Sequence, residues 1–390
     1  MKIPARRVLH RHLAGAAALG VAVLAVGSSV PATAAGPDAV RTASASTTAV
    51  APASAPAVLP GQDVSRAIAG SPVNGVAAPT QFWKQDISRA PLAKNSKALA
   101  ANVAKQVKDH WGGVAAFNLS KFGTSTYTVP AQQPRVDVNF WDCQGKGHTP
   151  SALYGEGGQF VSVPVPAYAL PAQGTDMHLS IWQPSTDTLW EFWKAQKRAD
   201  GWYACWGGRI DGFSRSDGSF TGSFGAAASG LAIAPGSIRA DEVRAGRIDH
   251  AMSLQLISPK EWKTFSWPAV RSDGTSKDPA AVAEGQRLRL DPSVDVDRLG
   301  LHPVARAVAK AAQTYGFVVT DAAGAVAVVG ENGDGALAVA GTNPWSGLLG
   351  KTPQYAVMKG FPWEKVQVLP MDYGKPTAGG TAPVAAVCPA

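Results

Sequence analysis

Asp176, His178 and Glu191 are side chains that can donate, accept or hold a proton, and they fall together in one short stretch of the chain. Residue types alternate there. Met177, Leu179 and Ile181 share one face of a strand, while Asp176, His178, Ser180 and Trp182 share the other. A polar connection, Gln183 to Thr188, leads into a second apolar run. If Trp182 pairs with Leu189, Ser180 faces Glu191 and His178 faces Trp193. The opposite register would set Glu191 among Met177, Leu179 and Ile181, at a cost of several kcal/mol for an unpaired buried carboxylate. The first register therefore gathers Asp176, His178, Glu191, Trp182 and Trp193 on one side of a sheet. Indole faces stack on pyranose rings, and carboxylates and imidazole bind hydroxyls or move protons, so this set suits a sugar. Tryptophan is equally a residue of strands and cores, and five of the twelve (182, 190, 193, 202 and 206) cluster here.

A second set lies between residues 229 and 252. His250 shares a predicted strand face with Ile248, Met252 and Leu254, the pattern of a core histidine, but Asp241 and Glu242 are close in sequence, together with Arg239. Arg287 and Arg289 alternate with Leu288 and Leu290, placing two guanidiniums on one face to meet an acidic sugar, a buried carboxylate or solvent. For a hydrolase, Asp176 or Glu191 would pair with Glu242 as acid and base. For a lyase, His250 or Tyr315 would remove the proton α to a uronate carboxylate, with Arg289 neutralising the developing charge. These residues do not rank the two mechanisms. There is no phosphate-cradling glycine loop and no His-Glu-x-x-His, and Gly222-Ser-Phe-Gly225 is not a nucleophile elbow. No metal or cofactor is expected; two histidines and scattered carboxylates carry no ligand spacing.

The elements that must position these groups are mostly strands. Period-two segments run over 136–140, 160–165, 177–182, 189–195, 202–206, 248–257, 287–290, 317–320 and 325–329, with Asp200-Gly201 as a two-residue hairpin turn. Leu99, Val103, Val107 and Trp111 recur every four residues after the candidate cap Ser96, which predicts a helix. His302 to Tyr315 predicts another, with Pro303 in its first turn and Gly316 past its end. The expected fold is mainly β: one sandwich-like domain, a jelly roll or irregular barrel, with two peripheral helices.

Composition sets the compartment. The chain has 390 residues, 16% of them charged, which excludes a coiled coil and a highly charged disordered protein. Its net charge of +8 includes Lys2, Arg6, Arg7 and Arg11; without them 32 basic residues face 28 acidic ones, leaving +4. No nucleic-acid partner is implied. The basic start, the apolar run Leu13 to Gly27 and Ala32-Thr33-Ala34 form a signal-peptide pattern over residues 1–34, and Arg6-Arg7 reads as an ordinary basic leader over a twin-arginine signal. Residues 35–78 are a linker rich in Ala, Ser, Thr and Pro, 79–380 a single domain and 381–390 a tail. The mature chain is expected to be extracellular, not bound to a membrane, and monomeric. Cys143, Cys205 and Cys388 allow one disulfide; Cys143 with Cys205 is favoured, and Cys388 could instead pin the tail.

From about Phe82 to Asp321 the chain resembles a family of exported bacterial proteins without an established activity. The matching blocks are Asp176-Met-His178, Leu189-Trp-Glu191-Phe, Ala228-Ser-Gly-Leu-Ala-Ile, Gly236-Ser-Ile-Arg239-Ala-Asp241-Glu242-Val and Gly246-Arg-Ile-Asp-His250-Ala-Met. Pro268-Ala, Gly285-Gln-Arg287-Leu-Arg289-Leu, Ala312-Gln-Thr-Tyr315-Gly316 and Thr320-Asp321 follow in order. The resemblance implies a β-rich exported protein and names no substrate. Ser253, Arg271 and Ala322 stand where the family pattern has Arg, His and Asn. If those three groups carry catalysis in the family, the resemblance implies binding without turnover here. The sequence thus points to a protein that binds an extracellular polysaccharide and cleaves it as hydrolase or lyase. Its rival is a non-catalytic surface or wall-binding protein whose Asp, Glu and His residues form a buried structural network.

Overall fold

Alternating apolar residues build three open sheets rather than one closed barrel. The computed structural model describes residues 81–376; the expected leader, linker and tail, and Cys388, lie outside them. The strands are β1 (Ala116–Asn118), β2 (Thr124–Thr128), β3 (Val138–Phe140), β4 (His178–Gln183), β5 (Thr188–Trp193), β6 (Gln196–Arg198) and β7 (Gly201–Ala204). They continue as β8 (Trp206–Asp211), β9 (Met252–Leu256), β10 (Arg287–Leu290), β11 (Phe317–Ala322), β12 (Ala327–Val329) and β13 (Val366–Val368). Six strands pair in the order β1-β12-β9-β11-β10-β13, four as β2-β4-β5-β8 and three as β3-β7-β6. All three sheets are mixed: β1/β12, β2/β4, β3/β7 and β9/β11 run parallel. Segment 160–165 forms no strand and contributes only a bridge from Val163 to Val136. The two-residue turn is Ala199-Asp200, because Arg198 pairs with Gly201.

The mainly-β expectation is met only in part, because strands share the fold with as much helix. Helix and strand each take 23% of the structure. The helices are α1 (Ser96–Asp109), α2 (Ala240–Arg244), α3 (Pro303–Thr314), α4 (Asp334–Ala340) and α5 (Ser346–Leu349). The two predicted ones are not peripheral. Leu99, Val103 and Val107 of α1 and Val304, Val308 and Ala312 of α3 join Leu254, Leu288, Phe317 and Val328 in the main core, so these helices cover one face of the six-stranded sheet. Trp111 does not extend the α1 stripe. It sits past the helix end at φ 49°.

A second core joins the other two sheets through Tyr127, Val138, Ile181, Trp190, Phe192 and Trp202. A disulfide links Cys143 to Cys205, with Cα atoms 5.5 Å apart, tying the chain beyond β3 to the junction of β7 and β8. Among the described residues no helix is long and apolar enough to cross a membrane.

Candidate functional site

The β4–β5 hairpin has the expected register, with Trp182 opposite Leu189 and Ser180 opposite Glu191. Its polar face is nevertheless closed. Residues 213–234 fold over it, so that Phe213, Phe220, Ala232 and Ala234 pack on Trp182 and Leu189. Glu191 is fully buried: Ile233 N donates to Oε2 at 2.8 Å, Ala234 N to Oε1 at 2.8 Å and Ser180 Oγ to Oε1 at 3.2 Å. Burial pushes its carboxyl up to about 7 against the pull of those donors. Glu191 holds two backbone N–H groups beside the 3-10 turn Ala234–Gly236 and meets no solvent. His178 and Trp182 are sealed with it, and burial lowers the His178 imidazole. The expected catalytic roles of Glu191 and His178 and the sugar-stacking role of Trp182 are therefore withdrawn.

The second expected set is also structural. Glu242 Oε2 accepts from Arg239 N at 3.0 Å, closing the first turn of α2, and meets His250 Nε2 at 3.3 Å. Burial pushes Glu242 up, but His250 and Arg239 outweigh it and hold it below the usual carboxylate range. His250 is fully buried, with Nδ1 2.8 Å from Ala251 O. Arg239 pairs with Asp241 at 2.9 Å and with Glu242 at 3.4 Å. Glu242 and Glu191 thus belong to separate networks and form no acid/base pair. Arg289 donates to Gln367 Oε1 and Ile87 O, Arg287 to Gln85 Oε1 and Tyr315 O, and Tyr315 packs by Phe82 and Trp83. Arg289 thus ties β10 to Gln367 of β13 and to Ile87, and Tyr315 offers Arg287 its backbone oxygen.

Arg239 and Glu242 line only a small cleft of about 290 Å³ among Lys84, Arg247 and Asp249, whereas two other expected residues reach a larger open site. Asp176 and Trp193 line a cleft of about 480 Å³ with Trp206, Lys146, Arg271, Asp273 and Asp321. Trp193 Nε1 donates to Asp176 Oδ1 at 3.2 Å. Trp206 is stacked on Phe224 at 5.5 Å, and Lys146 Nζ lies 4.0 Å from its ring centroid. Asp176 and Ala322 also line a second cleft of about 690 Å³, so the two adjoin there. Three further rings border the second cleft: Trp111, 72% exposed, Tyr355, 70% exposed, and Phe122. A larger cleft of about 740 Å³ beside α1 is lined by Ala and solvated Lys and Asp side chains without one aromatic ring.

Arg271, the departure noted in the sequence, shapes the first cleft. Nε donates to Ala228 O at 2.7 Å, Nη1 to Ser223 O and Phe224 O, and Nη2 to Gly225 O and Ala227 O. Every guanidinium donor is therefore used on the loop 223–228, which leaves none for a ligand. Beneath this loop, one carboxylate oxygen each from Asp273, Glu284 and Asp321 lie within 4.8 Å of one another. Asp273 is exposed, Asp321 half-buried and Glu284 sealed. A register shift between Val319 and Asp321 in the β9/β11 pairing redirects Asp321. Gly285 (φ 80°), directly after Glu284, takes a turn so tight that a Cβ would lie 1.8 Å from Ser266 O. Burial, with the charges of Asp273 and Asp176, raises Asp321 well above the usual carboxylate range. Burial and the adjacent Asp273 push Glu284 up to about 10.

Sequence reasoning missed Asp273, Glu284 and the ring of Tyr355, and named Trp206 only as one of the five clustered tryptophans. They stand in loops or at strand ends, where no period marks a face. Compared with family models, curated proteins and solved structures, the chain matches none.

Proposed function

We propose that the protein binds an extracellular glycan chain along the two adjoining clefts and does not cleave it. The carrying observation is that aromatic rings border both clefts on either side of Asp176: Trp111, Phe122 and Tyr355 in one, Trp193 and Trp206 in the other. The exposed rings of Trp111 and Tyr355 offer flat apolar faces to pyranoses, Trp193 and Trp206 do so once Lys194 and Lys146 swing off them, and Asp176, with Asp273 and Asp321 in the first cleft, supplies hydroxyl acceptors. Absence of turnover is supported by the fates of Glu191, Glu242 and His250, whose polar atoms serve the fold, and by Arg271, whose donors are all occupied. The leader-like pattern of residues 1–34 supports an exported site of action.

A panel of plant, fungal and bacterial glycans, tested by calorimetry, reducing-end assay and absorbance of unsaturated products, checks the proposal. Binding to at least one glycan is expected, weakened tenfold or more by Trp111→Ala or Trp193→Ala, with no product formed. Product that disappears in Asp176→Asn would overturn the non-catalytic reading, and no binding across the panel would overturn the glycan reading.

A further inference from the structure

We propose that Asp273, Glu284 and Asp321 form a binding site for a divalent cation of calcium's size in the floor of the first cleft. Asp273 and Glu284 come from the single connection between β9 and β10, and Asp321 from the far end of β11. One oxygen from each lies within 4.8 Å of the other two. Ca²⁺ accepts six to eight oxygens in flexible geometry, whereas Mg²⁺ demands a near-ideal octahedron, keeps several waters and binds through one or two carboxylates, so three converging carboxylates suit the larger ion. The ligands are hard oxygens only, which disfavours zinc and copper.

Glu284 supplies the second, independent indication. Its side chain is 0% exposed, and its polar neighbour is Asp273 of the same group, with no donor at good hydrogen-bond geometry on either oxygen, although buried carboxylates almost always have one. Glu191 and Glu331 show how this chain treats such groups elsewhere, with backbone N–H donors from Ile233 and Ala234 and from Ala240. Among the described residues no Lys or Arg forms an ion pair with any of the three. Arg271 is near enough for its charge to be felt, yet its donors go to carbonyl groups. Three carboxylates against that one guanidinium leave two negative charges in excess when all are ionised, the charge a divalent cation cancels. Asp321 and Asp273 open toward the cleft, which gives the ion an entry path and leaves coordination positions for water or a ligand hydroxyl.

The inference stands whatever occupies the groove, so its test uses the metal alone. Chelator-treated protein is titrated with CaCl2, and in parallel with MgCl2, by calorimetry and by thermal unfolding at constant ionic strength. One saturable Ca²⁺ site is expected, with a rise in Tm and at least tenfold weaker Mg²⁺ binding. Asp273→Asn, on an exposed side chain, is expected to keep the fold, shown by an unchanged circular-dichroism spectrum, and to weaken Ca²⁺ binding at least tenfold. Glu284→Gln is the second variant. Absence of both Ca²⁺ heat and Tm rise in the unsubstituted protein would overturn the site. So would equal responses to the two metals, or Ca²⁺ affinity unchanged in both variants. A Tm that rises in Glu284→Gln without metal, with no calcium response in the parent, would instead show that the three groups share protons.

Discussion

Whether a carboxylate acts as reagent or support is decided by what covers it, and Glu191 shows the distinction. Its chemistry, acidic and beside indole rings, is that of a glycan-binding acid, but its oxygens receive the N–H groups of Ile233 and Ala234. Removing the side chain leaves those donors buried without acceptors, whereas Gln keeps an acceptor and sheds the charge. Glu191→Ala is therefore expected to cost about 2–4 kcal/mol of unfolding free energy, and Glu191→Gln to be neutral or stabilising at pH 8. Urea denaturation measures both. Any glycan bound by the parent should keep its affinity within twofold in the Gln variant, because the residue does not face the clefts. Arg271 teaches the converse: a guanidinium beside a cleft is not a ligand group once five carbonyl oxygens have claimed it.

At the scale of elements, the disulfide makes the most direct prediction. Cys143 and Cys205 enclose a sequence separation of 62, which by loop-closure entropy corresponds to about 4 kcal/mol. Cys143→Ser with Cys205→Ser should lower stability by about 2–5 kcal/mol, read from denaturant midpoints under non-reducing conditions. The same elements show how far the sequence could be read. Pleat parity in β4–β5 was legible because a wrong register would have buried Glu191 in the core of Leu179 and Ile181. What covers the other face was not, because residues 213–234 have no period and pack by shape. The stripe of α1 and the ends of α3 were legible from spacing and from Pro303 and Gly316. Their place at the centre of the core was not, since an amphipathic face does not name its partner. Strand segments were mostly found, but parallel pairing across long connections, as in β9/β11, leaves no local mark. The acidic group at Asp273, Glu284 and Asp321 was invisible for the same reason: it exists only once the irregular β9–β10 connection folds back onto the end of β11.

For the molecule as a whole, buried acids set the dependence of stability on pH. Burial pushes Glu191 up to about 7 and Glu331 up to about 8, both above the ordinary carboxylate value that the unfolded chain shows. Over that interval the native state holds more protons than the unfolded chain, so unfolding free energy falls as pH rises. The loss from Glu191 begins above about 4.5 and is complete past about 7; that from Glu331 continues past about 8. Each withdraws on the order of 3–5 kcal/mol. Glu242, held low by His250 and Arg239, acts with the opposite sign: its contribution is present above its unfolded value and is lost as pH falls further through its folded one. The protein is thus expected to be most stable in mildly acidic solution, with urea midpoints higher at pH 5 than at pH 9. Glu191→Gln should flatten the decline between about pH 5 and 8 but not beyond. A midpoint that climbs from pH 5 to 9 would show that these two carboxyls do not hold their protons in the folded chain.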